Sequence, residues 1–328
     1  MNNKRVWIVS IFFLIFVGCF SSSEIADDDS SDALDDGDIT NAIFTNRSGN
    51  CSEYIDSFSS SVTDVNNSRA FTGSLTITVS DGSCIFTTNS IPNHNFNDGD
   101  RAFANDVAEV DNSVSITTAP VAAGSTTAIS LSVDNAIFLN GAKLDIIAAA
   151  CYGVGDGKVG CNDAYGEDQY WRYDPMHSEN DFGTDSHNAH AQPTGAYHYH
   201  GDPQAMYDTS STTIESPTIG FAADGFPIFG PYFDNNGTIE AAESCYVLKS
   251  GEREDLVAQV GDTPGGSYDG TYIQDYEFDE AAYDAGTCDL DRCNGMTVDG
   301  VYGYYVTDGY PWVMKCFTGT PDSSFNKN

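Results

Sequence analysis

The stretch Ser74–Ile91, "SLTITVSDGSCIFTTNSI", decides the fold class. Apolar and polar residues alternate on both sides of Asp81-Gly82, and successive strand side chains point to opposite faces. A period of two broken by Asp-Gly predicts a β-hairpin with one face buried. Working outward, "SVSITTAP" (Ser113–Pro120) and "AISLSVDNAIFLNGAKLDIIAA" (Ala128–Ala149) add further short β-branched runs. The 31 Gly, 18 Tyr and 19 Phe fit a turn-rich, aromatic chain. Helical patterning is confined to "NDAYGEDQYW" (Asn162–Trp171) and "TIEAAESCYVL" (Thr238–Leu248), each long enough for a turn or two. The expectation is a mainly β, β-sandwich-like single domain with short helices and long loops.

Its limits follow from the ends and the charge. Lys4 and Arg5 precede the apolar run "VWIVSIFFLIFVGC", which closes on Gly18 and Cys19 and is too short for a membrane span. That pattern predicts an export signal over residues 1–18, and it looks like a bacterial lipoprotein signal, with cleavage before Cys19 and a lipid on its sulfur. "FSSSEIADDDSSDALDDGD" follows without a basic residue, so residues 19–48 are expected to form an acidic disordered tether to the membrane, on the periplasmic side or the cell surface. Residues 49–328 then form the folded domain, with an N-terminal β-layer over about 51–150 and a second half over about 151–322. With 13 Lys plus Arg against 49 Asp plus Glu, the net charge of −36 repels phosphate backbones and excludes nucleic acid as a partner.

Eight cysteines remain after Cys19: Cys51, Cys84, Cys151, Cys161, Cys245, Cys288, Cys293 and Cys316. In an exported chain an even set without paired CxxC spacing predicts disulfides rather than structural zinc. The expected bridges are the short loops Cys151–Cys161 and Cys288–Cys293, then Cys51–Cys84 and Cys245–Cys316.

Chemistry concentrates in "PTGAYHYHGDP" (Pro193–Pro203). On a strand His198 and His200 share one face while Tyr197 and Tyr199 share the other. Histidines two apart stand about 6.5–7 Å apart along the backbone, yet their rings can converge on one ion with bonds near about 2 Å. A third ligand is needed, and "DSHNAHAQPTG" offers His187 and His190 ahead of a Pro-Thr-Gly turn that folds back over the strand. Five of the six histidines, at 177, 187, 190, 198 and 200, fall in this window. The candidate metal set is His187, His190, His198 and His200 for copper or zinc, supported from behind by Tyr197, Tyr199 and Asp224. Protonated imidazole cannot coordinate, so metal is expected to leave as pH falls through the ordinary histidine range.

"HAQPTGAYHYHGDP", "IGFAADGFPIFGPY", "LKSGEREDL", "GGSYDGTYIQDYEF", "CDLDRCNG" and "YYVTDGYPWVMKCFTGTPD" occur in one order and together resemble the YHYH-motif family of exported proteins. "FTTNSIPNH" and "DNAIFLNGA" extend the likeness upstream, so it runs from about Leu75 to Asp322. The resemblance implies no settled activity. Members usually carry Arg after the Asn-Gly of "LDxCNG", where this chain has Met296, which removes a fork-shaped anion donor.

Other motifs carry less. Asp224 sits in an Asp-Gly turn. "GVGDGKVGCNDAYGED" lacks the spaced oxygens of a calcium loop. Asp269 and Asp275 are a possible acid and base pair, and neither a nucleophile elbow nor a phosphate loop is present. Three readings follow: a metal-binding lipoprotein; a metal-assisted hydrolase or oxidase with an open coordination position; and a surface module that binds a glycan or protein, its histidines only shaping the fold.

Overall fold

Four antiparallel strands in sequence order, β1 (Asp56–Asp64), β2 (Arg69–Ser80), β3 (Ser83–Thr88) and β4 (Asn112–Thr117), form the first sheet. The computed structural model describes residues 37–155, 160–161 and 166–327. β2 and β3 are the predicted hairpin: Ser80 pairs with Ser83 across Asp81 and Gly82, whose φ of 51° and 79° give a turn that follows the strand twist. Phe71, Gly73, Leu75 and Ile77, then Cys84 and Phe86, then Val114 and Ile116 are buried, and the residues that alternate with them reach solvent at least in part. The alternation read in Ser74–Ile91 is thus a sheet with one dry face.

The remaining strands are short: β5 (Thr127–Ala128), β6 (Ala136–Phe138), β7 (Lys143–Leu144), β8 (Ala189–Ala191), β9 (Tyr197–Tyr199), β10 (Thr218–Ala222), β11 (Pro227–Phe229), β12 (Tyr232–Asn235), β13 (Thr238–Ala241), β14 (Tyr246–Leu248), β15 (Tyr276–Phe278), β16 (Gly295–Val298), β17 (Val301–Tyr305) and β18 (Cys316–Phe317). Eight of them form a second sheet in the order β16-β17-β11-β10-β6-β7-β9-β8, antiparallel except for the pairs β11–β17 and β7–β9. Every residue of β6, β9, β10 and β11 is buried, which is why "AIF", "IGFA" and "PIF" read as unbroken apolar runs. Phe86 of the first sheet and Tyr54 both meet Phe221 of β10, at ring-centroid distances of 6.1 and 5.6 Å, and the two sheets share one hydrophobic core. The fold is mainly β, as the patterning predicted.

Three expectations need correction. "TIEAAESCYVL" is not helical; it holds β13 and β14 on either side of Cys245, because cross-strand partners at Tyr232–Asn235 and Tyr276–Phe278 outweigh its local helix preference. "NDAYGEDQYW" lies partly outside the described residues, and its described part is turn. The one α-helix among the described residues is α1 (Glu280–Ala285), capped by Asp279 at its start and by Gly286 at φ 65° at its end.

Of the disulfides, Cys51–Cys84 and Cys151–Cys161 are as expected, whereas the other four cysteines pair as Cys245–Cys288 and Cys293–Cys316. Backbone bonds explain the exchange. Asp289 N–H donates to Glu243 O at 3.0 Å and lays Cys288 beside Cys245, while Lys315 N–H donates to Cys293 O and brings Cys316 to Cys293. The tether expectation also ends too late. Ile39 is 2% exposed, and Ile39 N–H bonds Ser59 O at 2.8 Å, so the chain joins the fold from about Gly37 rather than residue 49. Cys19 and the rest of the tether lie outside the described residues.

Candidate metal centre

β8 and β9 carry the histidines, and their register sets the geometry. In the antiparallel pair His190 lies directly opposite His198, so both rings rise from the same face. His200, two residues past His198, points the same way. The connecting turn is Gln192-Pro193-Thr194-Gly195, closed by Gly195 N–H to Gln192 O at 2.8 Å. Gly195 has φ 89°, and a Cβ there would lie 2.6 Å from the Ala108 methyl, so only glycine fits. On its other side β9 runs parallel to β7, with Lys143 beside His198.

The three rings converge. His198 Nε2 and His200 Nε2 are 3.2 Å apart, and His200 Nε2 and His190 Nε2 are 3.1 Å apart. His198 and His200 are buried and His190 half-buried. His190 Nδ1 faces Phe182 O at 2.9 Å and His200 Nδ1 faces Ile146 O at 3.2 Å. A carbonyl only accepts, so both Nδ1 atoms carry the proton and both Nε2 atoms present lone pairs. Burial holds His190 and His198 below the usual histidine range and takes His200 down to about 3, and for His198 and His200 neighbouring rings and the Lys327 cation act in the same direction. Neutral His190 and His200 therefore place two acceptors 3.1 Å apart with no proton between them. That contact is not a hydrogen bond; it is the arrangement a shared cation stabilises. With metal–nitrogen bonds of about 2.0–2.1 Å, a nitrogen separation of this size corresponds to an angle of about 100° at the ion, near tetrahedral.

Two of the four buried side-chain atoms without a hydrogen-bond partner among the described residues lie on or near this site: His198 Nδ1 and Asp145 Oδ1. Asp145 Oδ2 accepts from Lys327 Nζ at 2.6 Å and from Gln192 Nε2 of the β8–β9 turn at 2.8 Å. Burial raises the Asp145 carboxyl against the pull of Lys327.

The tyrosine face of β9 is closed by contrast. Tyr197 OH donates to Asp185 Oδ2 at 2.9 Å, and Asp185 Oδ1 accepts from the backbone of His187 and Ala189 at the entry to β8. Tyr199 OH donates to His94 Nε2 at 2.6 Å and accepts from Asn140 Nδ2 at 2.8 Å. His94 Nδ1 donates to Asn95 O at 2.8 Å, and burial takes its pKa down to about 3, so it is the neutral acceptor this chain of bonds requires. Burial pushes both phenols well above their usual range, which keeps them donors. Both tyrosines thus anchor β9 on the face opposite its histidines.

His187 does not join the three. It precedes His190 by an odd number of residues and faces the tyrosine side, stacked on His94 at 3.6 Å with Nδ1 donating to Pro203 O at 2.7 Å. Asp224 does not back the histidines either: at the β10–β11 turn it accepts from Tyr304 OH at 2.6 Å and Gly319 N–H at 2.8 Å. Asp269 and Asp275 are both held by Arg253, the latter at 2.6 and 2.8 Å, and work as an ion cluster under the aromatic rings of Trp171 and Tyr272. Met296 packs its side chain against the small cluster of Phe229, Phe233, Leu290 and Tyr305. Sequence reasoning missed His94, which lies far upstream of the other histidines although "FTTNSIPNH" contains it.

No curated protein and no solved structure matches the chain. Four disulfides on a β domain are consistent with an exported protein. The "YHYH protein" family model matches residues 113–319, well over half of the 328 and the whole of the paired strands just described, so this chain belongs to the YHYH protein family.

Proposed function

We propose that this protein is an exported lipoprotein, anchored through Cys19, that holds one transition-metal ion, copper or zinc, on Nε2 of His190, His198 and His200. The observation that carries the reading is the pair of proton-free Nε2 atoms at 3.1 Å, each fixed as an acceptor by a carbonyl at its Nδ1. Imidazole suits both ions, and the acidic surface raises the local concentration of cations. Three ligands leave a position that a fourth group can take. For that reason the same centre also supports a metal-assisted hydrolase or oxidase, in which water or oxygen occupies that position.

The test is elemental analysis of the exported, disulfide-intact protein, followed by titration with Cu(II) and Zn(II). We expect about one ion per chain in the parent protein and loss of that ion in His198→Ala. Folded protein that takes up neither ion would sink the reading.

A further inference from the structure

We propose that a cleft remote in sequence from the YHYH strand is a binding site for a neutral oligosaccharide. It encloses about 800 Å³, within the range of small-molecule sites. The proposal is independent of the metal centre.

Its walls are aromatic. Tyr246 and Phe278 pair across β14 and β15 with centroids at 5.3 Å, and Tyr268 and Tyr276 also line the space. All four rings are half-buried, so each keeps surface that is apolar and reachable. Tyr276 has one face taken by Tyr310, stacked at 4.3 Å with an interplanar angle of 4°, which fixes its orientation.

The polar groups carry both signs. Lys249, Arg292 and Lys315 line the cleft, in a chain with only 13 basic residues. Lys249 Nζ donates to Gln274 O at 2.7 Å and retains two further N–H groups, and Arg292 pairs with Glu280 while lying over the Phe278 ring at 4.6 Å. Glu254, Asp255 and Glu277 supply acceptors along the same walls. A pyranose ring matches this mixture: its C–H face covers an aromatic ring, and each hydroxyl both donates to a carboxylate and accepts from a cation. An anionic ligand would use the cations and be repelled by the acids, and an apolar one would strand both.

The cleft is also preorganised. Tyr246 follows Cys245, Arg292 precedes Cys293, and Lys315 precedes Cys316, so the bridges Cys245–Cys288 and Cys293–Cys316 fix backbone at three lining positions. Ordering that is already complete in the free protein is not charged against binding. Val257, 98% exposed, stands on the rim as an apolar lip.

Isothermal titration of the full exported chain with maltopentaose, cellopentaose and chitopentaose, and with penta-galacturonate as the acidic counterpart, tests this. We expect saturable binding of at least one neutral pentamer, weakened about tenfold or more in both Tyr268→Ala and Lys249→Gln, with both variants folded as the parent is by circular dichroism. No saturable binding to any neutral pentamer, stronger binding of the galacturonate, or undiminished binding in both variants would overturn the proposal.

Discussion

The two faces of β9 are both polar and both buried, yet they solve the problem of burial in opposite ways. On the tyrosine face every group has a partner of the right kind: phenol to carboxylate, phenol to imidazole, amide to phenol. On the histidine face lone pairs meet lone pairs, and one ring nitrogen is left without a partner. A closed network fixes a strand, while an open one asks for something not made of protein. The alternation Tyr-His-Tyr-His separates a structural face from a chemical one with a period of two.

The largest expected effect lies on the histidine face. Structural zinc sites are worth about 10–16 kcal/mol over their ligand set, so losing one of three imidazoles in His198→Ala should weaken metal binding more than about 100-fold. Tyr199→Phe, one residue away, should leave the metal content near one ion per chain. Equal loss in both variants, read by elemental analysis, would erase the distinction between the faces.

Acid should separate them next. His200 and His94 are both held near 3 by burial, below the usual value near 6.5. Between those limits the unfolded chain binds protons that the folded chain does not, so each such histidine removes stability as pH falls, by about 1.4 kcal/mol per pH unit. Asp174, raised to about 6 by burial, works in the opposite direction, so a difference measurement is required. Denaturant unfolding of metal-free protein from pH 6 to 4 should show a shallower loss in His200→Ala than in the parent, by about that slope. The same burial favours the neutral form of all three rings, so acid release of the metal should set in below the ordinary histidine range expected from sequence.

On the tyrosine face the expected cost is stability alone. Tyr199→Phe strips His94 Nε2 of its donor in a buried site and should cost about 1–3 kcal/mol in denaturant unfolding. Parent-like stability would mean that water replaces the phenol and that the network is not closed.

Periodicity made the hairpin, the β class and the His198–His200 pair legible, because spacing by two is local information. The third ligand was not local. Whether His187 or His190 completes the set depends on how β8 registers against β9, and only the pairing of Ala189 with Tyr199 decides that. The same holds for the cysteines, where Cys288 and Cys293 are near in sequence but are claimed by strands that return from far away. Asp224 looked like a support for the histidines because an Asp-Gly turn carries no address; its partners are Tyr304 in β17 and Gly319 just past β18. Ligand basicity, finally, depends on burial, which no residue pattern states.

His187→Ala gives the smallest effect and the sharpest test of the face assignment. Its ring stacks on His94 and ties to Pro203 O, so the substitution removes one hydrogen bond and one half-buried stack, together worth about 1 kcal/mol of stability. The His190–His198–His200 geometry has no atom in common with that contact, so copper or zinc affinity should change by less than about twofold, as expected for sites without shared partners. A tenfold loss of affinity would mean that His187 reaches the ion after all, and that in the metal-bound protein the two faces of β9 are not separate.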